Sequence, residues 1–238
     1  MVIYLIMKNI YINPLFYIVS LIMLATGFFK PFLFMIIYLI IHEIGHIITA
    51  YILGYRVCKI NVFPCGLLTI FNMKINDSIF KDFLIAIAGP LFQIISYHFI
   101  KKYYFIHLFL IIFNLIPIYP LDGSKIISFF LYLFFPYKKC NNVLFYLSYI
   151  LCIFIIIYFC FNFNLIYILV FITLFVRIIE FYKNKNYLFN SFIMERFLYD
   201  FNFVFVKKIN DINKMYKERR HYIDGNDEKE YIKKIFKL

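Results

Sequence analysis

The sequence predicts an all-α polytopic membrane protein with about six transmembrane helices and a short membrane-associated hairpin. Three observations carry that expectation. Hydrophobic residues make up 64% of the 238 and charged residues only 16%, and the mean hydropathy of +0.81 lies outside the range of soluble domains. Six stretches, at 14–29, 31–53, 79–100, 103–118, 143–159 and 161–179, approach the roughly 20 apolar residues needed to cross a bilayer. The 25 Lys and Arg also segregate: with the N-terminus inside, all but Lys30, Lys101 and Lys102 fall on cytoplasmic segments. The positive-inside rule then puts both termini in the cytoplasm.

The first span reads as a retained helix and not a cleaved leader, because the stretch around Thr26, Gly27 and Phe28 lacks a small-residue cleavage site and further spans follow. Between the second and third spans, KINVFPCGLLTIFNM sets β-branched and apolar residues around a Pro64–Gly66 turn, which predicts a hairpin over 60–72. Such a hairpin either holds a peptide strand by edge pairing or simply rests on the membrane surface. Asp77 and Asp82 belong to a polar stretch that water can solvate. Pro117 and Pro120 interrupt the fourth span, and a basic tail begins near Arg177. The division expected is a six-span membrane domain over 1–180 and a cytoplasmic tail over 181–238. The five cysteines, Cys58, Cys65, Cys140, Cys152 and Cys160, contain no C-x-x-C pair and read as reduced thiols. The net charge of +12 suits a face near anionic lipid, so the lipid bilayer is the expected partner and nucleic acid is not.

In the middle of the second span, IHEIGHII at 41–48 holds two histidines and a glutamate. Ionisable groups at that depth are costly and usually mark function. On a helix His42 and His46 share one face, and two imidazole nitrogens so placed can take adjacent corners of a tetrahedral zinc. Glu43 follows the first histidine directly, where H-E-x-x-H enzymes keep their general base. Gly45 keeps the helix slim enough for a close neighbour. A catalytic zinc normally takes three protein ligands, and Asp122, in NLIPIYPLDGSKI, is the remaining acid among the apolar spans. It is the expected third ligand.

Depth tests that expectation. Counted at 1.5 Å per residue, His42 lies about 16 Å from the outer start of its span at Pro31, and Asp122 about 28 Å from that side if the fourth span stays helical from Tyr103. Pro117 and Pro120 break the helical ladder, so an irregular turn at Asp122 and Gly123 can level the ligands. Irregular backbone at that depth requires a protein-lined or watery cavity. Asn114 reads as a donor to a substrate carbonyl or oxyanion, or else as a helix–helix hydrogen bond. His98 and His107 read as packed or span-end histidines.

HEIGH at 42–46, AGPL at 88–91 and NLIPIYPLDG at 114–123, in this order, resemble the three-helix metalloprotease core of the site-2 protease family of intramembrane zinc metalloproteases. The resemblance covers about residues 31–135. It implies Zn2+ held by His42, His46 and Asp122, Glu43 as the catalytic base, and Asn114 and Pro120 in a substrate-contacting loop. It implies hydrolysis of a peptide bond in a membrane-associated protein substrate, by a multi-pass protein of the cell membrane. The six-span layout and the tail after FNSFIMERFLYD are most similar to the family's sporulation members. That likeness implies removal of the pro-sequence from a sporulation sigma factor precursor of the sigma-K type, and restraint by inhibitory membrane protein partners. The chain departs from the family at PCGL, 64–67, where P-F-G-G is common. Its tail is also shorter than the CBS domain of sporulation members, and INDINKMYKERRHYI reads as a degenerate CBS-like segment.

Two rivals remain at this stage. A prenyl-protein endopeptidase also carries H-E-x-x-H in a membrane, but takes a Glu further along as its third ligand, and the Asp122 motif argues against it. A metal-binding transporter or scaffold without proteolysis would retain metal and cleave nothing.

Overall fold

The computed structural model describes residues 10–63, 66–98, 100, 102–161 and 165–236, and among these all side chains but those of 159–161, 165–171 and 173. Lys8, Pro64, Cys65, Lys101 and the Cys160 side chain lie outside the described residues. The chain forms two compact units, Met1–Met73 with Leu84–Ile116, and Lys74–Phe83 with Pro117–Leu238.

In the first unit, β1 (Ile10–Ile12) leads into α1 (Pro14–Ala25). Asn13 caps α1 by accepting the Leu15 amide at 2.9 Å, and Pro14 occupies the first turn, where no N–H is needed. At about 1.5 Å per residue α1 is about 18 Å long, short of the roughly 30 Å hydrocarbon core. α2 (Phe29–Ile52) follows and ends at Leu53 and Gly54, whose φ of +90° lies in the left-handed region. Its buried residues, among them Tyr38, Leu39, His42, Glu43, His46 and Ala50, recur at helical spacing along one face.

The hairpin expected over 60–72 is present as β2 (Val57–Phe63) and β3 (Gly66–Phe71), antiparallel, with Ile60 opposite Thr69. β1 adds to it in parallel, Ile10 opposite Ile60. α3 (Ile79–Ser96) contains Pro90, and α4 (Tyr104–Leu115) stops where Pro117 forces Ile116 into an extended conformation.

The second unit resumes at Pro117, where 117–121 is irregular, and Asp122 and Gly123 already belong to α5 (Asp122–Phe134). α6 (Tyr137–Phe161) and α7 (Leu165–Leu198) come next. α7 does not end where the basic composition begins. Arg177 and Glu180 pair at 2.9 Å across one turn, as expected of a helix running on into water. Beyond it lie β4 (Phe205–Ile209), β5 (Arg219–Ile223), β6 (Asn226–Asp227) and α8 (Glu228–Phe236). β4 pairs with β5 in parallel, and β5 turns onto β6 through Asp224 and Gly225, both at positive φ.

The all-α expectation is thus corrected to a mostly helical protein with two small three-stranded sheets. Strands of two to five residues, two of the pairings parallel, leave little periodic signal, because the pairing and not the local sequence makes them. Among the described residues three helices are long and apolar enough to cross a membrane, at 29–52, 79–96 and 137–158. Cys140 and Cys152 are buried free thiols and Cys58 an exposed one.

Tyr137, Phe192, Ile193, Ile209, Met215, Ile223 and Ile232 form the core of the second unit. Beside it Arg196, 3% exposed, donates to the carbonyls of Tyr216 at 2.7 Å and Arg219 at 2.9 Å, to Glu228 Oε1 at 3.4 Å, and to Lys217 O and Asn76 Oδ1. Desolvation pulls its pKa down to about 10 against the opposing pull of Glu228. His221, fully buried, accepts the Tyr216 amide on Nε2 at 3.0 Å, which leaves Nδ1–H to face Glu228 Oε2 at 3.2 Å.

Removing one partner of a buried ion pair strands the other. Arg196→Ala is therefore expected to lower the opening free energy of the 205–236 segment by about 3–5 kcal/mol, read as lost hydrogen-exchange protection in β5. Burial lowers the His221 pKa, with Glu228 opposing. A depressed folded-state pKa gives stability that is present above the unfolded value of about 6.5 and lost as pH falls through the folded one. Protection of the Tyr216 amide should accordingly be flat above about pH 6.5 and decline on acidification.

Candidate metal centre

His42 and His46 are each 4% exposed and Glu43 is 8% exposed, on the inward face of α2. The hydrogen bonds around the two imidazoles fix their tautomers. His46 Nδ1 meets the carbonyl of Ile85 at 2.6 Å; a carbonyl can only accept, so this nitrogen carries the proton. His42 Nδ1 meets Gln93 Oε1 at 3.0 Å, and the other end of that amide donates to the His107 carbonyl at 3.3 Å. The donation to His107 sets the orientation of the amide, so Gln93 presents an acceptor and His42 Nδ1 is the donor.

In their neutral forms the two rings then direct their Nε2 lone pairs inward, and those nitrogens stand 3.1 Å apart. Two lone pairs at that separation repel unless a proton or cation lies with them. Outer-ring donors tied to carbonyl oxygens and inner-ring acceptors converging is the arrangement of metal-ligating histidine pairs. The residues present therefore fit a divalent metal.

Two glycines make room for it. A Cβ on Gly89 would lie 2.3 Å from His46 Nε2 and 2.8 Å from His42 Nε2, inside the space the two nitrogens face. A Cβ on Gly45 would lie 2.7 Å from the carbonyl of Ala88. Gly45 thus does permit the close approach read from sequence, here of α3 onto α2.

Glu43 turns toward the hairpin, where its Oε1 accepts the Thr69 amide of β3 at 3.0 Å. That amide points away from β2, so β3 presents its free edge to the carboxylate. The Thr69 hydroxyl is buried with no hydrogen-bond partner among the described residues.

The remaining predicted residues are found as follows. Asn114 is half-buried in the last turn of α4. In the second unit Asp122 is 6% exposed, heads α5, and has Lys125 Nζ at 3.0 Å from its Oδ1. Pro120 is half-buried after a cis Tyr119–Pro120 bond. The Tyr119 amide donates to Ser148 Oγ at 3.0 Å, and its ring stacks on Phe181. His42, His46 and Asp122 are each buried.

Gln93 belongs to no sequence motif of the site, His107 reads from sequence only as a packed or span-end histidine, and Gly89 stands in AGPL with no role of its own. Gln93 is the chain's only glutamine, one turn after Pro90 in an apolar helix, and that isolation was the available signal.

No protein-family model matches the chain. Stage IV sporulation protein FB of Bacillus subtilis (strain 168) is 26% identical over 205 residues, spanning 79% of this chain and 71% of that protein. Among solved structures, the site-2 protease from Methanocaldococcus jannaschii superposes with a TM-score of 0.59 at 22% identity, covering 72% of this chain and 89% of the other, a likeness of fold. The relation in sequence to a sporulation protein and the likeness in fold to a site-2 protease agree with the motif resemblance and with the histidine pair.

Proposed function

We propose that this protein is a zinc endopeptidase that cleaves a membrane-associated protein, with His42, His46 and Asp122 as the metal ligands and Glu43 as the base. The observation that carries the reading is the convergence of two Nε2 lone pairs at 3.1 Å, each imidazole tied through Nδ1 to a carbonyl oxygen. Asp122 is proposed as the third ligand because it is buried and completes the two-histidine, one-carboxylate set of hydrolytic zinc sites. When bound, Zn2+ supplies Lewis acidity, lowering the pKa of a water and polarising a carbonyl.

Glu43 takes the proton of the attacking water and returns it to the nitrogen of the leaving amine. The Thr69 amide holds one carboxylate oxygen and leaves the other for that proton. Asn114 donates to the scissile carbonyl as charge develops on its oxygen, and Pro120 shapes the loop beside it. A helical substrate must first expose its scissile bond, and the freed backbone groups need partners at membrane depth. The open edge of β3 offers them by strand addition.

The proposed layout is six membrane crossings within 1–180 in the cell membrane, both termini cytoplasmic, and a cytoplasmic tail over 181–238. The substrate proposed is a sporulation sigma factor precursor of the sigma-K type, supported by the sequence relation to a sporulation protein. Inhibitory membrane proteins are proposed to restrain the enzyme until it is needed.

Co-expression with the sigma precursor of the same genome tests this directly. Shortening of the precursor is expected with wild type and not with Glu43→Gln, while elemental analysis finds zinc in both. Equal shortening by Glu43→Gln overturns the mechanism, and zinc retention with no cleavage of any membrane substrate favours a transporter or scaffold. Asp122→Ala is expected to weaken both zinc retention and cleavage. Gly89→Ala, which puts a methyl group against both ligand nitrogens, is expected to abolish zinc retention while the protein still accumulates in the membrane.

A further inference from the structure

The hydrogen bonds of His42 lead into a closed circuit across three helices. Gln93, 0% exposed, receives His42 Nδ1–H on its side-chain oxygen at 3.0 Å and donates from its side-chain nitrogen to the His107 carbonyl at 3.3 Å. His107, 3% exposed, returns the bond: its Nε2 donates to the backbone carbonyl of Gln93 at 2.7 Å. That carbonyl is available because α3 ends there. The Tyr97 amide, which would otherwise continue the ladder, bonds to Ile94 O, and Ser96 Oγ joins His107 on Gln93 O at 2.6 Å.

The His107 ring is flanked by Tyr38 at 4.8 Å, edge-on, and Tyr97 at 5.5 Å. Tyr38 stands one turn before His42 on α2 and donates through its hydroxyl to the Ile100 carbonyl at 3.1 Å. The links among His42, Gln93 and His107 are buried, and the donation from its side-chain nitrogen to the His107 carbonyl leaves the Gln93 amide one orientation. Its oxygen is therefore committed to accept from His42.

We propose that Gln93 is the positioning residue of the metal centre, holding His42 in the Nδ1–H tautomer with Nε2 turned to the metal, and that His107 locks Gln93 in that role. The proposal rests on the zinc reading given above. Gln93 touches no reacting atom; it acts through the ligand. Outer partners of metal-ligating histidines typically contribute about 10- to 100-fold in metal affinity. A buried acceptor held on both sides belongs in that range.

The test is zinc affinity of the full-length protein in detergent, by competition with a chromophoric chelator, alongside the melting temperature of the metal-free protein. Gln93→Leu keeps the volume and removes the acceptor; it is expected to bind zinc about 10- to 100-fold more weakly in a protein that still folds, its metal-free melting temperature lowered by the two buried groups left without their partner. Gln93→Glu restores an acceptor for Nδ1–H and is expected to recover most of that loss. His107→Leu leaves both His42 and Gln93 in place and is expected to weaken zinc in the same direction, which keeps the test open if Gln93→Leu does not fold. Wild-type affinity in both leucine variants, or a Gln93→Glu protein as weak as Gln93→Leu, overturns the positioning role. Failure of the wild type to bind zinc overturns the metal reading itself, a distinguishable result.

Discussion

The close approach of α3 to α2 is the constraint on which the centre depends. Gly45 meets the Ala88 carbonyl with no space for a methyl group, and Gly89 leaves open the space that the two imidazoles face. Only at that separation can the Ile85 carbonyl reach one histidine and the Gln93 amide the other. Polar groups in an apolar interior cost free energy unless they are paired. The pairing here also aims them: a histidine whose outer nitrogen is satisfied has its inner nitrogen directed as a matter of ring geometry.

The part of this legible in sequence is the part that is local. His42, Glu43 and His46 are readable because a helix sets positions i and i+4 on one face with i+1 beside them, and the hairpin because β-branched residues flank Gly66. The Pro117–Pro120 break is readable too, although Asp122 proved to open a helix and not to sit in the turn. α5 went unread because DGSK resembles a loop when nothing indicates that Leu121 will serve as its extended N-cap residue. The reach of α7 went unread because a change in composition need not be a change in conformation. Gln93 and His107 depend on three helices meeting, and no window along the chain contains that information. The same holds for β1 and for the parallel β4–β5 pair, which non-local pairing alone creates.

The second unit illustrates the same rule away from the metal. Arg196 donates to three backbone carbonyls, so it ties the turn at 216–217 and the start of β5 to α7. Glu195, its neighbour, accepts the amides of Ile75 and Asn76, both at 3.1 Å. One turn of α7 thus gathers residues 75–76 and 216–228, segments more than a hundred positions apart.

α7 itself has a mechanical consequence. A helix of 34 residues is about 51 Å long, and the folded tail is bonded to its last turns and not suspended from a flexible segment. A tether of similar length would let the tail explore a volume, with a local concentration set by chain statistics. A continuous rod does the opposite: it fixes azimuth as well as distance, so torque applied to the tail is delivered along the helix axis instead of being dissipated in a linker.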